Sequence, residues 1–313
     1  MASTQQRNLP RKILVCVALG AGAKNETVIS ERDRSIASYA MRLGQMAGSE
    51  VRFFHAVAWD EDNLEHPTVK KLETERGAVL AALHDLQAGH GRVAVSSALR
   101  FGRPWFTIIQ EAVHWGAELI IVGSQVHDVG LIGRMLHGTT AGRLIRKSPV
   151  PVLRVGDHVP EKLERILVPV DFTPVSAELV SMANAIHKET GAERVLLHCL
   201  QFPLDIAVHH EPNPDEAVRK YHADVTEKAQ VNIDKLLGAD REKWQVILKT
   251  DWIGRVAPEV VVSERIDLMI IAGISLPRVA GLLLGTTAEK IIERTDVPTY
   301  MMKPAGWKSP VVV

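Results

Sequence analysis

One segment of this chain, GTTAGRLIRKSPVPV from Gly138, returns as GTTAEKIIERTDVPT from Gly285, and no other feature restricts the fold as tightly. A repeat means duplication of the whole chain only if other landmarks keep step with it. RKILVCVALG from Arg11 matches ERILVPVDFT from Glu164. EVRFFHAV from Glu50 matches RVLLHCL from Arg194, with His55 and His198 in register, and AELIIVGS from Ala117 matches IDLMIIAGI from Ile266. Positions 13 and 166, 55 and 198, 138 and 285, and 151 and 298 lie 153, 143, 147 and 147 residues apart. Offsets this nearly constant describe two copies that differ in their loops. The drop from 153 to 143 places extra residues of the first copy in AGAKNETVISE, after its first strand. At 313 residues, the chain divides into domain 1 (residues 1–156) and domain 2 (164–313), joined through the polar, proline-containing GDHVPEKLE.

Within each copy, short β-branched runs alternate with longer helical patterns. ILVPV, VLLHCL, WQVILK, LMIIAG and PTYMM are apolar on both faces, as strands covered by helices on both sides must be. Between them, SAELVSMANAIHKET sets Leu179, Met182, Ala183 and Ile186 at helical spacing, and AEKIIERT does the same with Ile291 and Ile292. Alternating strands and helices imply right-handed crossovers and a parallel sheet, so each copy is predicted to be an open, doubly wound α/β domain.

Composition limits the partners. The 37 basic and 37 acidic residues cancel, which argues against a protein that lives on nucleic acid or an anionic membrane. No apolar run approaches the roughly 20 residues of a membrane span. Cys16 and Cys199 both sit in apolar runs, where a reduced thiol behaves as a small hydrophobe, and a cytoplasmic setting is expected. MASTQQRNLPRKILVCVALG is read as a first strand rather than a signal peptide, because its apolar run is β-branched and leads into a glycine-rich turn.

Open parallel sheets bind ligands outside the carboxyl ends of their strands, beside the first strand. In domain 2 those ends are Val168-Pro169-Val170-Asp171 and Ile271-Ala272-Gly273, and a loop then leads to Gly285-Thr286-Thr287. A Gly-Thr-Thr step entering a helix offers backbone amides and hydroxyls at a positive helix end, which suits a phosphate; the simpler reading is that a threonine caps the helix. The histidines, including His84, His90 and the His209-His210 pair, lack metal-ligand spacing. There is no Walker-type phosphate loop and no Gly-x-Ser-x-Gly elbow. Trp105 and Trp252 both follow a third strand and read as packing residues before ligand walls. Gly102-Arg103-Pro104 reads as the turn that starts a helix.

VPVDFTPVS, the histidine ending strand two, an apolar strand four ending in glycine, and LLLGTTAEKIIERTDVPTYMM together resemble a universal stress protein domain, present here as two tandem copies. The resemblance implies a flavodoxin-like, five-stranded parallel sheet in each copy. Many members bind ATP through Gly-x2-Gly-x9-Gly-Ser/Thr after strand four, with an aspartate at the end of strand one near the adenosine. Carried over, Asp171 is that aspartate, and Pro169 and Cys199 are adenine neighbours. Ala272 and Gly273, at the end of strand four, are further binding candidates, and Gly285, Thr286 and Thr287 stand at the phosphates. Domain 2 departs from the pattern at the middle glycine, where Leu276-Pro277 stands, and its Gly273 to Gly285 spacing is one residue short. Domain 1 keeps Gly123, Gly138, Thr139 and Thr140 as weaker candidates. It has Ala18 in place of the aspartate and a loop two residues too long, in which Val126 or Asp128 takes the middle slot and Gly130, Gly133 and Arg134 offer another anion pocket.

The expected ligand is therefore ATP or AMP, mainly in domain 2, with Mg2+ only beside a triphosphate. A stress-induced interaction module without nucleotide is the alternative. ATP hydrolysis needs a positioned base and a metal ligand, for which the sequence has no strong candidate, so a regulator is expected rather than an enzyme. Universal stress proteins dimerise through their last strand. This implies that Val150–Val155 and Val297–Met302 pair within the chain, leaving a homodimer of whole chains and an unknown protein partner open.

Overall fold

The computed structural model describes residues 9–21, 27–58, 73, 76–77, 80–81, 93–124, 139–204, 213–273, 286–304, 307 and 309–311. Domain 1 contributes β1 (Lys12–Cys16), β2 (Leu19–Ala21), β3 (Thr27–Ile29), α1 (Glu31–Ala47), β4 (Glu50–Ala58), β5 (Val95–Gly102), α2 (Pro104–Trp115), β6 (Leu119–Gly123), α3 (Thr140–Lys147) and β7 (Val152–Val155). Domain 2 repeats the plan with β8 (Arg165–Pro169), α4 (Val175–Thr190), β9 (Glu193–Leu200), α5 (Pro214–Leu237), β10 (Trp244–Thr250), α6 (Ile253–Ser263), β11 (Leu268–Ala272), α7 (Thr286–Arg294) and β12 (Thr299–Met302). The linker 156–164 carries neither strand nor helix.

Ten strands form one sheet in the order β10-β9-β8-β11-β12-β7-β6-β1-β4-β5. Each half has the strand order 3-2-1-4-5, the first five places of the doubly wound order 3-2-1-4-5-6, and is parallel throughout. The halves meet at an antiparallel pair, β12 with β7, in which Thr299 faces Arg154, Tyr300 faces Leu153 and Met301 faces Val152. The central strands are apolar on both faces because each face is roofed by helices. Ile13, Val15, Ile166 and Val168 belong to a core against α1 and α4. Leu14, Leu167, Met269 and Met301 belong to a core against α2, α3, α6 and α7.

Strand register fixes the duplication residue by residue. Lys12 pairs with Glu50 and Arg165 with Glu193; Ile13 pairs with Leu119 and Ile166 with Leu268. The helices α1 and α4 end at matching left-handed glycines, Gly48 and Gly191, where φ is 63° and 75°. The extra residues of domain 1 build an antiparallel hairpin, β2 with β3, between β1 and α1. Residues 170–174 span the same gap in domain 2 without one.

Candidate strand-switch cleft in domain 2

Strands β8 and β11 are neighbours whose following helices leave on opposite faces, and a cleft of about 780 Å³ opens above their ends. It brings together Pro169, Asp171, Cys199, Ala272 and Thr287, five of the residues the sequence singles out. Gly273 lies just behind: its amide donates to the Met302 carbonyl at 2.8 Å, and a Cβ there would stand 3.3 Å from that oxygen. Thr286 opens α7. Gly138, Gly285, Val126, Asp128, Gly130, Gly133, Arg134, Leu276-Pro277, His84, His90 and His209-His210 fall outside the described residues.

Asp171 is exposed at the mouth, and its Oδ1 accepts from the Thr173 amide (3.0 Å), the Thr173 hydroxyl (2.6 Å) and the Ser176 hydroxyl (3.3 Å). This ties the carboxylate to the first turn of α4. Oδ2 has no partner among the described residues and remains an acceptor at the cleft. Phe172 supports the turn in a left-handed conformation (φ 60°), with its ring 4.3 Å from that of His198. The Nδ1 of His198 lies 2.9 Å from the Val170 carbonyl oxygen, and His55 repeats the contact on Val17 at 2.8 Å. The repeated histidine therefore braces the chain as it leaves the first strand of each domain.

Cys199 is buried on the cleft wall, and burial, then Asp251, pushes its thiol up to about 11. It stays protonated near neutral pH and serves as apolar wall rather than nucleophile. Burial raises the half-buried Cys16 further still. Sequence reasoning missed Lys228, which α5 brings to the same cleft and which has no partner among the described residues. A lysine on a polar helix carries no periodic signal. Trp252 also lines the cleft, yet its ring lies over Gly254 and beneath Lys290 (4.9 Å) and Arg294 (5.8 Å), so packing explains it. Trp105 is not its counterpart. Trp252 is the N-cap of α6 and Arg103 the N-cap of α2, with Pro104 at the first helical position and Trp105 already inside the helix.

In domain 1 the same place is built differently. The Ala18 amide faces Asp33 Oδ1 at 3.4 Å, so a carboxylate absent from the strand end reappears one helical turn away, where domain 2 has Ser176. Arg32, in the position of the cleft-lining Val175, lies over Gly123: a Cβ there would stand 3.9 Å from its guanidinium carbon. Its Nε reaches Asp157 of the linker at 2.8 Å. Gly123 is not the counterpart of Gly273. The Ser124 amide bonds to Val155 as the Gly273 amide bonds to Met302, which sets Ser124 against Gly273 and Gly123 against Ala272. A Cβ at Gly123 would come within 2.8 Å of Ile36 Cδ1, the movable end of that side chain. Thr139 caps α3, its hydroxyl accepting from the Gly142 amide at 3.0 Å, and Thr140 begins that helix.

The model of the universal stress protein family matches residues 27–156 and again 162–303. The chain belongs to the universal stress protein family. Universal stress protein E of Escherichia coli K12 is 23% identical over 227 residues, covering 67% of this chain and 68% of the relative. A universal stress protein from Archaeoglobus fulgidus superposes with a TM-score of 0.68 at 18% identity, covering 94% of this chain and 98% of the other. A putative universal stress protein from Pseudomonas aeruginosa gives 0.63 at 18% identity, covering 94% of each chain. These structural likenesses establish the tandem fold. No helix among the described residues is long and apolar enough to cross a membrane.

Proposed function

We propose that this universal stress protein is a cytosolic regulator that binds an adenine nucleotide, AMP or ATP, in domain 2 (residues 164–313) and not in domain 1 (residues 1–156). The observation that carries this reading is the asymmetry of the two strand-switch positions. Domain 2 has a cleft with Asp171 Oδ2 and Lys228, both without a partner among the described residues, and an apolar wall that includes Cys199 and Ile271. In domain 1 the corresponding position has Ala18 for the aspartate, with Arg32 lying over Gly123. Asp171 is assigned to the ribose or adenine, and Thr286, Thr287 and Gly285 to the phosphate at the N-terminus of α7. Mg2+ enters only with a triphosphate. The ligand acts as a signal rather than a substrate, since the Cys199 thiol is held neutral and Asp171 Oδ1 is committed to its own loop.

Mass spectrometry of the nucleotide released from purified protein, followed by calorimetric titration with AMP and ATP, tests the reading. Asp171→Ala should weaken binding by about 10- to 100-fold, the worth of a charged hydrogen bond. Unchanged affinity would remove Asp171 from the site. Leu276-Pro277, where the family pattern has glycine, favours a second reading, a protein-interaction module without nucleotide. Failure of both nucleotides to bind the wild type would select it.

A further inference from the structure

The two domains are internal controls for one another, and they differ most sharply far from the cleft. Val51 pairs with Val95 as Arg194 pairs with Trp244, and Gly102 and Asp251 then adopt the same unusual φ, 139° and 143°. With Arg103 and Trp252 capping the next helices, the register places Arg52 at the position of Val195, Glu111 at that of Val260 and Arg100 at that of Lys249. Domain 2 fills the first two places with fully buried valines, at 0% and 2% exposure. The fold therefore has no need of charge there. Domain 1 nevertheless buries the Glu111 side chain to 4% exposure and surrounds it with two guanidinium groups, Arg52 Nη1 at 2.9 Å and Arg100 Nε at 2.7 Å. A buried ion cluster is seldom more stabilising than the apolar pair it replaces, so stability does not explain it.

The cluster is also unbalanced. One carboxylate holds two arginines. Arg52 is fixed further by Ser96 Oγ at 3.0 Å and by stacking over Trp115 at 4.5 Å. Arg100 uses only Nε on Glu111, and its side chain is 38% exposed. Arg100 lines a groove of about 570 Å³ along the outer strand β5, whose lining also includes Arg76 and His114. Neither Arg76 nor Glu73, the second carboxylate of this lining, has a partner among the described residues, so three guanidinium groups stand against two carboxylates. Planar guanidinium groups held in place in this way match the two-oxygen face of a carboxylate or phosphate.

We propose that domain 1 carries a separate binding site for a small carboxylate- or phosphate-bearing anion in this edge groove, with Arg52 and Glu111 orienting Arg100 and with Arg76 closing the cationic wall. The site is independent of the nucleotide cleft and survives if that reading fails. Calorimetry on the full chain, titrated separately with inorganic phosphate and with succinate, tests it, with Trp115 emission as a second readout. Saturable binding of at least one anion is expected, and the stronger binder identifies the chemistry. Arg100→Gln and Arg76→Gln should each weaken it by about tenfold or more, while AMP affinity stays at the wild-type value in both; the thermal midpoint stays at the wild-type value in Arg76→Gln and falls in Arg100→Gln, which takes one of two guanidinium partners from the buried Glu111. Arg76 is exposed and has no partner among the described residues, so its variant keeps the fold and is the decisive one. Absence of saturable binding by both anions, or binding undiminished in both variants, would overturn the proposal. So would binding lost on Asp171→Ala, which would place the anion in domain 2.

Discussion

Lys303, just past the last strand of domain 2, donates its ammonium hydrogen to the carbonyl oxygen of Ile145 in the last helix of domain 1. It is 5% exposed, with the Trp307 ring 4.6 Å away. The cations beside Ile145 on α3 are engaged elsewhere, Arg146 with Glu289 and Lys147 over Trp105. Burial lowers the Lys303 amine from 10.5 to about 7. Below that pH the amine is charged in folded and unfolded chains alike, and the burial penalty is constant. Between about 7 and 10.5 only the unfolded chain keeps the proton, so stability climbs as pH rises. Thermal melts of wild type should rise towards those of Lys303→Met in this window. The variant should lack the rise and be more stable at pH 6 by roughly 1–3 kcal/mol. Parallel pH profiles would refute the assignment.

Arg154 makes the reciprocal contact. Its guanidinium, 1% exposed, donates to the Thr295 carbonyl at 2.8 Å and lies 3.8 Å from Asp296. Arg154→Met imports the residue found at the matching place in β12, Met301, but takes the guanidinium donor from the Thr295 carbonyl and the cation from beside Asp296. Urea unfolding should show a loss of about 2–4 kcal/mol; a loss below the fitting error would show that the interface repacks without this cation.

Gly156 allows the linker to pass over the same corner. A Cβ there would stand 1.9 Å from Asp296 Oδ1 and 2.5 Å from the Asp296 carbonyl oxygen, and the Asp157 and His158 amides donate to that carboxylate at 3.0 and 2.9 Å. Gly156→Ala should cost about 1–3 kcal/mol. Gly123→Ala meets only the flexible tip of Ile36 and should cost less. Equal melting temperatures for the two variants would contradict the geometry.

Cys199, with its thiol held up near 11, should react slowly with iodoacetamide at pH 7.5 in the native protein and rapidly once unfolded. A nucleotide in the cleft should slow native labelling further. Native labelling as fast as that of the unfolded chain would mean that the thiol is not desolvated.

The duplication and the sheet were legible because parallel strands buried on both faces must be apolar runs, and those runs kept their spacing. His55 and His198 were legible as a register mark, but their role was not, since each binds a backbone carbonyl that no side-chain pattern records. Gly123 aligned with Gly273 by type, whereas the hydrogen bonds of Ser124 and Gly273 to the last strands show a shift of one residue. Lys228 and Arg32 were hidden for a shared reason: a charged residue on a helix is normally read as facing water only, and it takes the neighbouring strand ends to show that the exposed Lys228 also borders the cleft and that Arg32 is half-buried over Gly123. Glu111 was concealed likewise among the apolar residues of α2.

Joining β7 to β12 within one chain fixes the stoichiometry of the two modules at one to one and holds their effective concentration constant under dilution. Partner exchange between copies, open to modules that pair as separate chains, is closed to this pair. A strand-end aspartate can then be kept in one half and lost from the other, as Asp171 and Ala18 are, without every assembly carrying the loss twice. The continuous sheet thus lets one module specialise for a ligand while its twin is free to acquire a different one.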